Sequence, residues 1–146
     1  IIVFDDICWL GDKVCCIASD RLRFCSGTGD AEGEYSFDGN FLDAYAVRGD
    51  NIVLELRAHS YGGAGTLVSV DSSAKLVGTA EPGAEIECFD YAGGKLLCLT
   101  QDKLLCYDDS LKLELEAEQT GAQTALLRAN DAVLISGTEV KTTNIK

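Results

Sequence analysis

Short apolar runs separated by turn-forming residues recur along the whole chain. The runs Val14 to Ala18, Ile52 to Leu56, Leu96 to Leu99 and Val133 to Ile135 are nearly continuous in apolar side chains, as strands buried on both faces are. Each follows another run: Phe4 to Leu10, Phe41 to Val47, Ile86 to Tyr91 and Ala122 to Arg128. Between the two runs stands a dipeptide suited to a tight hairpin turn: Gly11-Asp12, Gly49-Asp50, Gly93-Gly94 and Asn130-Asp131, spaced by 38, 44 and 37 residues counted from the second member. The long middle interval has a visible cause, a loop enlarged by a few residues between Ala58 and Gly65. Third runs follow at Leu22 to Cys25, Thr66 to Val70, Leu104 to Tyr107 and Val140 to Ile145. Fourth runs, the most polar, cover Gly33 to Phe37, Lys75 to Thr79 and Lys112 to Ala117. A polar strand beyond buried ones suits a sheet edge guarded by charge.

The repeat is also visible in residue identities. Leu67 to Leu76 matches Leu104 to Leu113, with Leu67/Leu104, Asp71/Asp108, Ser73/Ser110, Lys75/Lys112 and Leu76/Leu113 identical. A helix competes over Leu111 to Ala129, which is rich in helix formers. The alternation of Leu111, Leu113, Leu115 and Ala117, and the break at Gly121, favour strands. Four-stranded units of about 40 residues are the pattern of propeller blades. The expected fold class is therefore all-β: antiparallel four-stranded blades in a β-propeller or partial propeller of about four blades. The approximate blades are 1–38, 39–82, 83–120 and 121–146.

The hairpins Val70 to Val77 and Tyr107 to Glu114 resemble those of quinoprotein-type and WD-repeat-like propellers. In style the chain is similar to degenerate propeller domains of uncharacterised bacterial envelope proteins. It lacks the Thr-Gly and docking Trp of the quinoprotein repeat and the Gly-His and Trp-Asp pairs of WD repeats. The resemblance thus implies the architecture, and no cofactor is expected.

Composition narrows the function classes. Hydrophobic residues make up 47% and charged residues 25%, ordinary values for a globular domain. No apolar run approaches the roughly 20 residues that a spanning helix needs. The formal charge of -12 repels phosphate backbones, so nucleic acid is not an expected partner. The chain opens on Ile1 and contains no Met, so it reads as a piece of a longer protein. The resemblance leans towards an extracytoplasmic bacterial envelope, with cytoplasm as the alternative.

Seven cysteines, Cys8, Cys15, Cys16, Cys25, Cys88, Cys98 and Cys106, sit mostly in apolar runs. They read as buried free thiols, Cys15, Cys16, Cys98 and Cys106 most clearly. Neither the paired spacing of a zinc site nor an even disulfide count is present, and no metal site is expected.

Candidate chemistry is sparse. His59 is the only histidine and lies beside Ser60 and Tyr61 in the enlarged loop. Arg57, His59 and Tyr61 are the candidate loop contact for a ligand, and no catalytic residue is assigned. The glycines from Gly62 to Gly65 lack the Lys-Ser/Thr ending of a phosphate loop. Arg48-Gly49-Asp50 is the integrin-type tripeptide, but Gly49-Asp50 is also one of the four repeat turns. The acidic stretches Asp5-Asp6, Asp30 to Glu34 and Asp108-Asp109 lack calcium-loop spacing and read as solvated faces.

Two functions remain. The favoured one is a non-catalytic binding or scaffold module with a protein or glycan partner. The other is a fragment of a glycan-active or quinone-dependent propeller enzyme with catalytic residues partly outside this chain, which predicts an ordered cofactor, a cluster of perturbed carboxylates, or both. Counting strands gives fifteen, so an arc would expose the face of the first blade around Cys15 and Ile17 and that of the last around Val133 and Ile135. Further blades or a second copy are expected to cover them.

Overall fold

The computed structural model describes residues 4–146. Fifteen strands and no helix make four antiparallel sheets, each a simple up-and-down meander. The first holds β1 (Phe4–Leu10), β2 (Lys13–Ala18), β3 (Arg21–Cys25) and β4 (Ala31–Ser36). The second holds β5 (Phe41–Arg48), β6 (Asn51–Arg57), β7 (Thr66–Asp71) and β8 (Leu76–Ala80). The third holds β9 (Ile86–Ala92), β10 (Lys95–Thr100), β11 (Lys103–Asp108) and β12 (Leu113–Glu118). The fourth has three strands, β13 (Thr124–Arg128), β14 (Asp131–Ile135) and β15 (Val140–Asn144). The segment that competed as a helix is instead β12, a connection and β13.

The sheets stack face to face in chain order, with the first strands β1, β5, β9 and β13 brought together on the inside. Three apolar layers hold them. Cys15, Ile17 and Phe24 meet Ile52, Leu54 and Val70 between the first two sheets. Val53 and Leu67 meet Leu96, Cys98 and Leu105 between the second and third. Leu97, Leu99 and Leu104 meet Ala125 and Ala132 between the third and fourth. Each fully buried Leu, Ile or Phe contributes about 1.5–3 kcal/mol, so these layers outweigh the weak intrinsic stability of any single meander.

The turns explain the repeat. Gly11, Gly49 and Gly93 take φ of 63°, 59° and 57°, a region open to glycine without a Cβ clash. The fourth turn differs from expectation by one residue. Arg128 pairs with Asp131 across the hairpin, so the turn is Ala129-Asn130, and Ala129 adopts φ of 54° where the other repeats carry glycine. The Asp71/Asp108 identity has a local cause as well. Asp71 Oδ1 accepts from the amides of Ser73 and Lys75, and Asp108 Oδ1 from those of Ser110 and Lys112. These side chains fold the two outer hairpins into the same Asx-type turn.

Two expectations about facing are corrected. Cys15 and Ile17, 0% and 1% exposed, point at the second sheet; the outward side of β2 carries Val14 and Cys16. Cys16 is accordingly only half-buried, unlike Cys15, Cys98 and Cys106. The run from Val14 to Ala18 is apolar on both sides, so its sequence held no alternation to tell the faces apart.

Candidate binding site at the loop end

Two charged groups, Glu55 and Arg57, are buried at one place in the fold. Glu55 lies on β6, on the side facing the third sheet, and is 1% exposed. The hairpin turns set the equivalent positions in the other sheets: Ile17, Leu99 and Ile135. A carboxylate thus replaces an aliphatic side chain in one blade of four. Gly65, leading into β7, leaves room for it: a Cβ there would sit 2.8 Å from Glu55 Cγ.

Arg57, two residues on and on the same side of β6, holds this carboxylate. Its Nε and Nη2 donate to Glu55 Oε1 at 3.2 and 3.1 Å. Nη2 also lies 2.9 Å from Asp43 Oδ2, and Nη1 donates to Glu85 Oε1 at 3.2 Å. Burial raises the Glu55 pKa above the usual carboxylate range, against the pull of Arg57 and with a further push from Asp43. Burial works to lower the Arg57 pKa, but Glu55, Asp43 and Glu85 together outweigh it and the net direction is up. Three carboxylates around one guanidinium leave the cluster negative, and two of them, Asp43 and Glu85, reach solvent.

The cluster opens on two concavities at one end of the sheets. A groove of about 270 Å³ runs between the second and third sheets past Asp43, Tyr45, Glu55 and Glu87. A wider cleft of about 980 Å³ caps the third sheet, lined by Glu85, Glu87, Gln101, Asp102, Gln119 and Thr120. Neither set of lining residues includes a Lys, Arg or His.

The three residues grouped by the sequence are divided by the structure. His59 and Tyr61 stack on each other in the β6–β7 loop, ring centroids 6.1 Å apart and planes 21° off parallel, with Tyr61 80% exposed. Arg57, at the base of that loop, turns inward and is 7% exposed. Glu55, Asp43 and Glu85 were not singled out from the sequence. Glu55 is hidden within the run Ile52 to Leu56, and only alignment on the repeat, which sets it against Ile17, Leu99 and Ile135, marks it as out of place.

Other candidates resolve into structural roles. Gly49 of the Arg48-Gly49-Asp50 turn accepts a 3.1 Å bond at its carbonyl from the Gly11 amide, tying two neighbouring turns together. Asp6 accepts from the Tyr45 hydroxyl, Asp109 from that of Tyr91, and Glu34 pairs with Arg21 and Arg23. Among the described residues, no group of three or more His, Cys, Asp or Glu side chains is placed to hold a metal ion. Among the same described residues, no helix is long and apolar enough to cross a membrane.

Stacked antiparallel meanders with their first strands inside define propeller-type repeats, and comparison with solved structures agrees. The chain is similar to BamB from Moraxella catarrhalis, at 15% identity over 95% of this chain and 44% of that one, TM-score 0.56. It is similar to Hsv2 from Kluyveromyces lactis, at 10% identity over 100% of this chain and 50% of that one, TM-score 0.64. The N-terminal domain of Nup159 matches at 14% identity over 95% and 43% of the two chains, TM-score 0.57. All three are β-propellers. The chain therefore spans about half the length of the solved chains it matches. No protein-family model and no curated protein matches the sequence.

Proposed function

We propose that this chain is a non-catalytic binding or scaffold module that takes a basic segment of a protein partner at the loop end of its second and third sheets. The observation that carries this reading is Glu55, a carboxylate placed where the other three blades carry Ile17, Leu99 and Ile135. Departures from a structural rule of this kind concentrate at functional sites. Its pairing with Arg57 fixes Asp43 and Glu85 at the rim, and Glu87 and Asp102 extend the negative surface along the cleft. A net charge of -12 adds a long-range field that draws cationic segments in. His59 and Tyr61 offer an exposed aromatic surface on the adjoining loop, suited to stacking against Arg or apolar side chains.

The enzyme alternative finds less support. Glu55 has a raised pKa, but it is 1% exposed and its carboxylate is engaged by Arg57, which leaves it little access to a substrate.

Calorimetric titration with a lysine- and arginine-rich decapeptide tests the proposal. Binding is expected at low ionic strength, weakening with salt, and falling several-fold in a Glu85→Gln/Glu87→Gln variant. An acidic peptide of the same length should not bind. Equal binding by the variant, or by the acidic peptide, removes the loop end from consideration.

A further inference from the structure

Two of the seven cysteines stand face to face on neighbouring strands. Cys8 on β1 and Cys15 on β2 are directly opposite in the register of the first hairpin. Both belong to the layer between the first and second sheets, where Cys15 is fully buried and Cys8 half-buried against it. Their thiols lie within hydrogen-bond reach of each other. Directly opposite residues of an antiparallel pair have Cα atoms about 4.5–5.5 Å apart, inside the roughly 4.4–6.8 Å that a disulfide spans. The backbone of this hairpin therefore already holds the two sulfurs at bonding distance or close to it.

The register sets this pair apart from the other cysteines. Cys16 and Cys25 also approach each other, but Cys16 is opposite Arg23 and Cys25 opposite Val14. Such diagonal neighbours are about 7–8 Å apart, at or past the roughly 7 Å beyond which bridging needs backbone movement. In the third sheet Cys88 is opposite Leu99, Cys98 lies between Phe89 and Leu105, and Cys106 between Leu97 and Leu115. Cys8 and Cys15 also sit between two sheets that are both present, so their surroundings do not depend on what covers the outward side of the first sheet.

We propose that Cys8 and Cys15 form a reversible oxidation site that exchanges with a low-molecular-weight disulfide and, once bonded, staples β1 to β2. The Cys8 thiolate attacks one sulfur of the small disulfide, whose S–S bond breaks and releases one small thiolate. Cys15 then gives its proton to solvent, and its sulfur attacks the Cys8 sulfur, forming the protein disulfide and releasing the second small thiolate. Two protein thiols are oxidised and one small disulfide is reduced to two thiols, so electrons and protons balance. Exchange opens at Cys8 because it alone of the two has exposed surface. Burial raises the pKa of both thiols, so exchange quickens as pH rises. The bond stiffens the strand whose Asp6 accepts from the Tyr45 hydroxyl of the second sheet, and so braces one side of that contact.

Oxidised glutathione serves as the probe. The folded 146-residue chain is incubated with an excess of it at pH 8, quenched in acid, alkylated in denaturant and digested with trypsin. Mass spectrometry should find the peptide 1–13, which holds Cys8, joined to the peptide 14–21, which holds Cys15 and Cys16. Cys16→Ser/Cys25→Ser should form the same link, and Cys8→Ser should form none while keeping wild-type circular dichroism. Dithiothreitol should separate the two peptides again. Because the bond closes a loop in the unfolded chain, oxidation should raise the urea midpoint of wild type and leave that of Cys8→Ser unmoved. A Cys16–Cys25 bond formed in its place, glutathione that stays on Cys8, or a folded chain that forms no link overturns the proposal. So does a link lost in Cys16→Ser/Cys25→Ser, or a lower urea midpoint after oxidation.

Discussion

Replacing Arg57 with leucine isolates what the buried charge cluster does. Arg57 and Glu55 have side chains only 8% and 2% exposed, so Arg57→Leu leaves a carboxylate in an apolar layer with no cation beside it. Breaking a buried pair in this way costs about 3–5 kcal/mol, a large share of the stability of a domain this size. The loss should depend on pH in a definite direction. Burial already raises the Glu55 pKa, and Arg57 is what restrains it; without the cation it rises further. A folded-state pKa above the unfolded one contributes stability that is fully present below the unfolded value, about 4.3 for Glu, and lost as pH rises through the folded value. The deficit of the variant against wild type should therefore be larger at pH 8 than at pH 5. Urea unfolding followed by circular dichroism at both pH values measures it, with wild type at each pH as reference for the overall charge effect. Glu55→Leu/Arg57→Leu should regain most of the loss, since Ile17, Leu99 and Ile135 show that aliphatic side chains fit this position in the other blades. A deficit that is the same at both pH values, or a double variant no more stable than the single one, would refute the reasoning.

Three further outcomes follow from other parts of the fold. Ala129→Gly should stabilise the chain by about 0.5–1 kcal/mol, because Ala129 sits at φ of 54° in a turn where the other repeats have glycine; an unchanged urea midpoint would contradict this. Gly78→Ala should destabilise by about 2 kcal/mol or more, since its Cβ would lie 1.8 Å from the carbonyl oxygen of Ser110 on the next sheet; thermal unfolding reads the difference. In native protein at pH 8, Cys15, Cys98 and Cys106 should be the last thiols to react with a thiol reagent, because all three are buried and burial raises their pKa values, that of Cys15 to about 12. Prompt reaction of all seven without denaturant would defeat that expectation.

The strand order and the phase of the repeat were legible because they rest on local chemistry. Glycine turns and the Asp71 and Asp108 side chains act within a few residues of themselves, and their spacing is written directly in the chain. Legibility failed where a feature depends on what lies across a sheet or on the neighbouring blade. Continuous apolar runs such as Val14 to Ala18 carry no two-residue period, so the face of Cys15 could not be told from that of Cys16. The fourth turn was misplaced by one because Ala129 has no turn-forming side chain to announce it. Asn130 was the nearest residue that does. Arg57 was noticed as a loop residue, but its partners Asp43 and Glu85 lie on other elements, and nothing local in sequence links them to it. Gly78 carried no signal at all, since its need for a missing side chain comes from Ser110 on the next sheet.

Among the described residues, all eleven strand ladders join strands adjacent in the chain. Each sheet can therefore zip up by closing short loops, at a small entropic cost, before it docks on its neighbour. Nearest-neighbour stacking of this kind makes stability approximately a sum of blade and interface contributions. Blades can then be gained or lost at either end by duplication or deletion of about 40 codons, with the inner layers left intact, and sequence identity between blades can decay while turn phase is kept.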